Sequence, residues 1–281
     1  MMIKARVVPL LLVAVPGLFL LLAFVLPNAL LFSASFLKSE AQVITNELTF
    51  DNYRSLAARP VYVQAIIRTF VIGASVGALV ALISYPLAFF LARTETRWKG
   101  ALIALSLSPL LASVVVRTYG WWVLLNREGA LNDLLRYFGW ADQPQWLPSS
   151  GAIVLGLAHS LLPYGVITIL TALNTVNPQL ERAAMSLGAS RTRTFLAVTL
   201  PLSAPGVAAA FLLAFTLAIS AYATPQILGG ASTPVMATQI YNLMITILDW
   251  SLGSAFSVVL VMSALVLMLA GTTLSSRRGP Q

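Results

Sequence analysis

Apolar and polar positions alternate along this chain in long blocks. Six apolar runs, at about residues 7–32, 61–92, 101–125, 151–173, 202–222 and 251–274, are separated by shorter stretches that hold nearly all the charge. A hydrocarbon core about 30 Å thick needs about 20 apolar residues of helix to cross it. The pattern therefore predicts an all-α membrane protein with six transmembrane helices, a single domain over residues 1–281. The first run follows Lys4 and Arg6, the charge order of a secretory signal, and Ser33-Ala34-Ser35 faintly resembles a cleavage site. A signal's apolar core would be only about 7–15 residues, so the run reads as an uncleaved first span.

Within the spans, Gly73, Ser75, Gly77 and Ala78 offer small residues for close helix packing. Pro109 and Arg117 interrupt the third run, and Pro163 predicts a kink in the fourth. Lys38 to Pro60 reads as a polar external loop. Asn126 to Ser150 reads as another, with Leu131, Leu134, Leu135 and Phe138 on one face of a short surface helix. Thr224 to Pro234 is turn-rich, and Val235 to Leu248 is too short to span, which predicts a partly inserted helix.

The most particular polar stretch is 174–201. Asn177 suits an N-cap, Pro178 the first helical position, and Glu181 the first turn, where the helix dipole favours an acid. Leu180, Ala183, Ala184 and Leu187 share one face, and Gly188 fits a left-handed stop. Ser190 can cap a second helix through Arg191, Arg193 and Phe195, which Pro201 limits. The expectation is two short helices joined at a glycine.

Composition narrows the class. The chain is 58% hydrophobic and 9% charged, whereas soluble domains carry about 25% charged residues. The net charge of +8 sits between apolar runs, which argues for cytoplasmic loops and against nucleic acid. Lys4, Arg6, Arg93, Arg97, Lys99, Arg182, Arg191, Arg193, Arg277 and Arg278 fall on one side of a six-span arrangement. Lys38, Arg54, Arg59, Arg127 and Arg136 fall on the other. The excess predicts that both termini are cytoplasmic. There are no cysteines and one histidine, which leaves no metal cluster to expect.

Arg117 is the sharpest charge inside a span. It either lines a pathway with Tyr119, Trp121 and Trp122, or snorkels outward above an aromatic belt. His159 reads as a hydrogen-bonded packing residue and Arg68 as an interfacial anchor. Asp249 reads as a cap on the sixth helix, with substrate contact as the other reading. The spans contain no nucleophile–base cluster, and no G-x-x-x-x-G-K-[ST] phosphate loop occurs, so no catalytic residue and no ATP hydrolysis are expected of this chain.

Residues 181–201 resemble the EAA loop of permease subunits in binding-protein-dependent ABC importers. Ala183-Ala184, three residues, Gly188, nine residues and Val198-Thr199-Leu200-Pro201 keep its spacing. Arg182 stands at the motif's glutamate position, with Glu181 one residue earlier, and Val198 replaces isoleucine. Leu48-Thr49-Phe50-Asp51-Asn52-Tyr53, Ser108-Pro109, Val116 to Trp121, Gly129 to Asn132 and Asp249-Trp250 resemble elements of the spermidine/putrescine branch.

The resemblance implies the type I importer permease fold, placed in a bacterial inner membrane. It implies that Glu181, Arg182, Ala183, Ala184, Leu187, Gly188 and Pro201 belong to a loop that docks on an ATPase subunit. Glu181 and Arg182 both remain open as the coupling contact. It further implies a second permease subunit, an external solute-binding protein, surrounding lipid, and ATP with magnesium on the partner rather than on this chain. The solute would be small and polyamine-like. An ion-coupled secondary transporter is the alternative, weakened by the scarcity of acids within the spans.

Overall fold

The computed structural model describes residues 14–40, 42–140 and 144–276, with side chains to residue 269. The structure is helical apart from one antiparallel hairpin, β1 (Leu37–Glu40) against β2 (Val43–Leu48). The helices in chain order are α1 (Ala14–Ala34), α2 (Asp51–Ala58), α3 (Pro60–Arg93) and α4 (Lys99–Leu107). Next come α5 (Val114–Leu125), α6 (Ala130–Tyr137), α7 (Ser150–Thr175) and α8 (Pro178–Ser186). Last are α9 (Arg191–Ile219), α10 (Ala223–Gly229), α11 (Met236–Tyr241) and α12 (Trp250–Ser276). Five described helices are long and apolar enough to cross a membrane, and a bent pair makes a sixth candidate span.

That pair is the third apolar run. After α4 the chain makes a tight 3₁₀ turn over Ser108–Leu111, turns extended at Ala112, and restarts as α5 at an angle of 90°. Pro109 has no N–H, and its ring crowds the preceding turn. The interruption expected there is a complete break.

Three other expectations are corrected. The 224–234 stretch, expected as an external turn-rich segment, begins within helix α10, whose Thr224 and Leu228 are buried. The 38–60 stretch is an ordered hairpin followed by α2. Asn52 Nδ2 donates to the carbonyls of Ser35 and Leu37, both at 2.9 Å, and Tyr53 OH pairs with Ser35 Oγ at 2.8 Å. On the hairpin, the hydrogen-bonded Glu40 carboxylate, with Glu47 beside it, holds the Lys38 ammonium above its ordinary pKa. Pro201 does not end a helix: α9 runs from Arg191 through Pro201 and Pro205 to Ile219. A wide π turn over Phe195–Thr199 precedes the proline and takes up the carbonyl its ring would crowd.

The chain divides into two compact units, residues 1–63 with 239–262 and residues 64–238 with 263–281. In the first, Tyr62 packs edge-on against Phe256, with ring centroids 5.4 Å apart. In the second, α7 is the central helix, burying Ile153, Leu157, Ile169 and Leu173. Small residues let its neighbours approach: Gly206 of α9 lies on Ala172, and Gly165 lies on Val80 and Ser84 of α3. Gly73 and Gly77 of α3 receive the side chains of Ile219, Phe215 and Phe211, as their spacing predicts. Lys4, Arg6, Arg277 and Arg278, and residues 7–13 of the first apolar run, lie outside the described residues.

Candidate functional site

Helix α8 is built by its ends. Asn177 Oδ1 accepts from the Gln179 N–H at 2.9 Å, with Pro178 at the first helical position. Gly188 has φ +88°, the left-handed conformation that glycine adopts without a Cβ penalty. The Gly188 N–H donates to Met185 O and the Ala189 N–H to Ala184 O, closing the last turn. Ser190 Oγ then accepts from the Arg193 N–H at 3.3 Å and starts α9. The helix–glycine–helix outline was legible in sequence, but the second helix is the start of a long apolar helix rather than a separate short one.

The two faces of α8 differ. Leu180, Arg182, Ala183, Met185, Leu187 and Gly188 are exposed, Leu187 at 89%, while Ala184 is half-buried. An apolar stripe left open on a short helix loses free energy in water unless something covers it.

Glu181 faces inward. Its Oε1 accepts from Arg93 Nη2 at 2.7 Å and from Thr199 Oγ1 at 2.9 Å, and Arg93 Nε lies 3.2 Å from both carboxylate oxygens. The two side chains are only 15% and 19% exposed. Arg93 Nη1 also reaches the Leu173 carbonyl at 3.5 Å, and its guanidinium lies 6.0 Å from the Phe89 ring centroid. A cavity of about 750 Å³ opens onto this cluster, lined by Arg93, Glu181 and Thr199 themselves together with Phe89, Met185, Arg191 and Phe195. The displaced glutamate is therefore engaged within its own chain, and Arg182 is the exposed charge. Arg93 was read from sequence only as one basic residue of an internal loop. Its position, four and eight residues after Phe89 and Tyr85 on one helix face, was the available signal.

Arg117 and the three aromatic residues that follow it do not gather on one cavity. Arg117 lines a second cavity, of about 620 Å³, with Ser113, Ser160, Tyr164, Tyr222 and Thr224 among its walls. Its Nη1 donates to the Pro109 carbonyl, and its Nε is buried without a partner. Trp121 instead packs against the core of α7, donating from Nε1 to His159 Nδ1 at 3.1 Å. His159 is thus a hydrogen-bonded packing residue, as expected. Tyr119 and Trp122 are exposed, at 54% and 39%. Asp249 belongs to the other compact unit, where its Oδ1 accepts from the Leu252 N–H at 3.1 Å and caps α12. Arg68 donates to the Pro234 carbonyl at 3.1 Å. Among the described residues there is no group of three or more His, Cys, Asp or Glu that could hold a metal ion.

Residues 5–278 match the family model described as the binding-protein-dependent transport system inner membrane component. The spermidine/putrescine transport system permease protein PotB of Salmonella typhimurium is 29% identical, over 92% of this chain and 90% of its own length. PotB of Escherichia coli strain K12 is 30% identical, over 88% of this chain and 90% of its own. The fold matches a chain of a bacterial alginate ABC transporter, solved in complex with an alginate pentasaccharide-bound periplasmic protein. The TM-score is 0.83 at 18% identity, covering 98% of this chain and 96% of that one.

Proposed function

The chain belongs to the family of binding-protein-dependent transport system inner membrane components, and from that membership we propose how its parts divide the work of import. It is a multi-pass inner-membrane permease subunit of an ABC importer. The exposed stripe of α8, Leu180, Ala183 and Leu187 with Gly188, docks on an ATPase subunit, which carries the ATP and magnesium. The observation that supports this most is an apolar stripe uncovered at the end of a helix whose opposite face is fixed by Arg93 and Thr199. Arg182, exposed on the same helix, is the charge available to the partner.

The remaining assignments follow from the same reading. A second permease subunit completes the pathway, and an external binding protein delivers solute. Residues 1–281 form one transport domain with six spans, α4 and α5 together making the third, and both termini are cytoplasmic. The solute is of the polyamine class, by the PotB relatives. The second cavity is walled by Ser113, Ser160 and Tyr164 among mainly apolar neighbours. Arg117 is not a ligand for a polyamine, since one cation gains nothing from another and its guanidinium is turned to Pro109.

Reconstitution tests the assignment. The chain, its partner permease, the ATPase subunits and the binding protein are placed in vesicles, and uptake of labelled spermidine is measured with and without ATP. Uptake that needs ATP and binding protein supports the reading. Uptake driven by an ion gradient in the absence of the ATPase overturns it.

A further inference from the structure

We infer that Arg93 and Glu181 form a permanent link that makes the docking helix α8 move as one body with α3 and α9. The inference deepens the docking role proposed above and rests on it.

Two side-chain stripes meet behind α8. Tyr85, Phe89 and Arg93 recur every four residues along the last turns of α3, and Phe195, Thr199 and Ser203 recur every four along the first turns of α9. Phe195 packs edge-on against both Phe89 and Tyr85, with ring centroids 5.5 and 5.7 Å apart. Tyr85 OH pairs with Ser203 Oγ at 2.8 Å, and Ser203 Oγ donates to the Thr199 carbonyl at 2.8 Å. Thr199 Oγ1 in turn donates to Glu181. The glutamate therefore touches both helices at once, Arg93 from α3 and Thr199 from α9.

The chemistry of the pair sets its mechanical character. A forked guanidinium on a carboxylate holds orientation as well as distance, because rotation spoils several bonds together. Both groups are largely withdrawn from water, and separating them would strand two charges. Any push delivered to the outer face of α8 then meets less resistance by shifting α3 and α9 than by opening the pair. Glu181 is a positioning residue in this account, and the motif's displaced acid serves inside the chain rather than at the subunit boundary.

The test uses the whole reconstituted transporter. Arg93→Ala should lower spermidine uptake about tenfold, the discounted cost of losing one partner of a part-buried pair. The ATPase subunit should still co-purify and hydrolyse ATP, so that hydrolysis runs without transport. Glu181→Ala should lose uptake similarly, and the charge exchange Arg93→Glu with Glu181→Arg should recover much of it. The chain has no cysteine, so Arg93→Cys with Glu181→Cys can be bridged by a short bis-thiol reagent. Bridging should restore uptake relative to the unbridged pair. Parent-like uptake by the single variants, or bridging that abolishes the uptake remaining, overturns the permanent link. Leu187→Asp separates this from the docking reading: loss of ATPase co-purification supports docking, and full retention overturns docking whatever the Arg93 variants do.

Discussion

Arg117 on α5 donates through Nη1 to the carbonyl of Pro109, eight residues earlier, across the break that separates α4 from α5. A helix that stops inside a span leaves carbonyls with no N–H to meet them, and lipid offers none. The guanidinium supplies the donor that the interrupted backbone lacks. That explains an arginine in an apolar run without assigning it to solute or to the membrane surface, the two roles its sequence position offered.

Arg117→Ala should therefore cost stability first. Leaving this part-buried carbonyl unpaired costs at most about 1–3 kcal/mol, to be read as a lowered unfolding midpoint in detergent. Arg117→Lys should fall between, because an ammonium can still donate. If Arg117→Ala melts like the parent but has lost uptake, the arginine acts on the transported solute instead.

At Gly206, α9 lies directly on Ala172 of α7. A Cβ there would collide with the Cβ of Ala172. Gly206→Val should force the helices apart and destabilise the chain by about 1–3 kcal/mol, the usual cost of overpacking. Gly120, where a Cβ meets open space inside α5, is the control, and Gly120→Ala should melt at or slightly above the parent. Equal midpoints for Gly206→Val and the parent would show that the α7–α9 contact is looser than described.

At Gly188 the reasoning differs, because a Cβ there meets nothing within 4 Å and only the backbone objects. A residue with a Cβ in the left-handed region costs about 1–2 kcal/mol. Uptake should fall in the order Gly188→Asn, Gly188→Ala, Gly188→Val, because asparagine tolerates this conformation best. Unfolding midpoints should fall by no more than this strain allows, since the turn is exposed and covers no core. Equal uptake by all three would mean that the turn's shape does not matter to transport.

Much of this was legible in sequence where the signal is local. The caps Asn177 and Ser190, the left-handed Gly188 and the packing of Gly73 and Gly77 depend on near neighbours or on periodicity. The family resemblance carried by Ala183-Ala184, Gly188 and Leu200-Pro201 was equally local. What escaped was pairing at a distance. Arg93 and Glu181 are 88 residues apart, and the spacing of Arg93 after Phe89 and Tyr85 places it on a helix face without pointing to Glu181. Pro109 and Pro201 show why one residue type misleads. The first sits in a 3₁₀ turn after which the helix breaks, while the second follows a π turn and is carried through. The ordered hairpin was missed because Lys38 to Pro60 is polar and exposed. Its order comes from Asn52 and Tyr53 reaching back to residues 35–37.

The claim that α8 is the docking element is tested most directly by site-specific crosslinking in membrane vesicles that contain the assembled transporter. The chain's freedom from cysteine allows one to be placed at Leu187, 89% exposed at the end of α8, and separately at Leu134, 53% exposed on α6. A thiol-to-amine reagent of short reach is then applied, and the crosslinked species is probed for the ATPase subunit. The account predicts an ATPase adduct from Leu187→Cys and none from Leu134→Cys. An adduct from Leu134→Cys alone would place the ATPase away from α8 and contradict it.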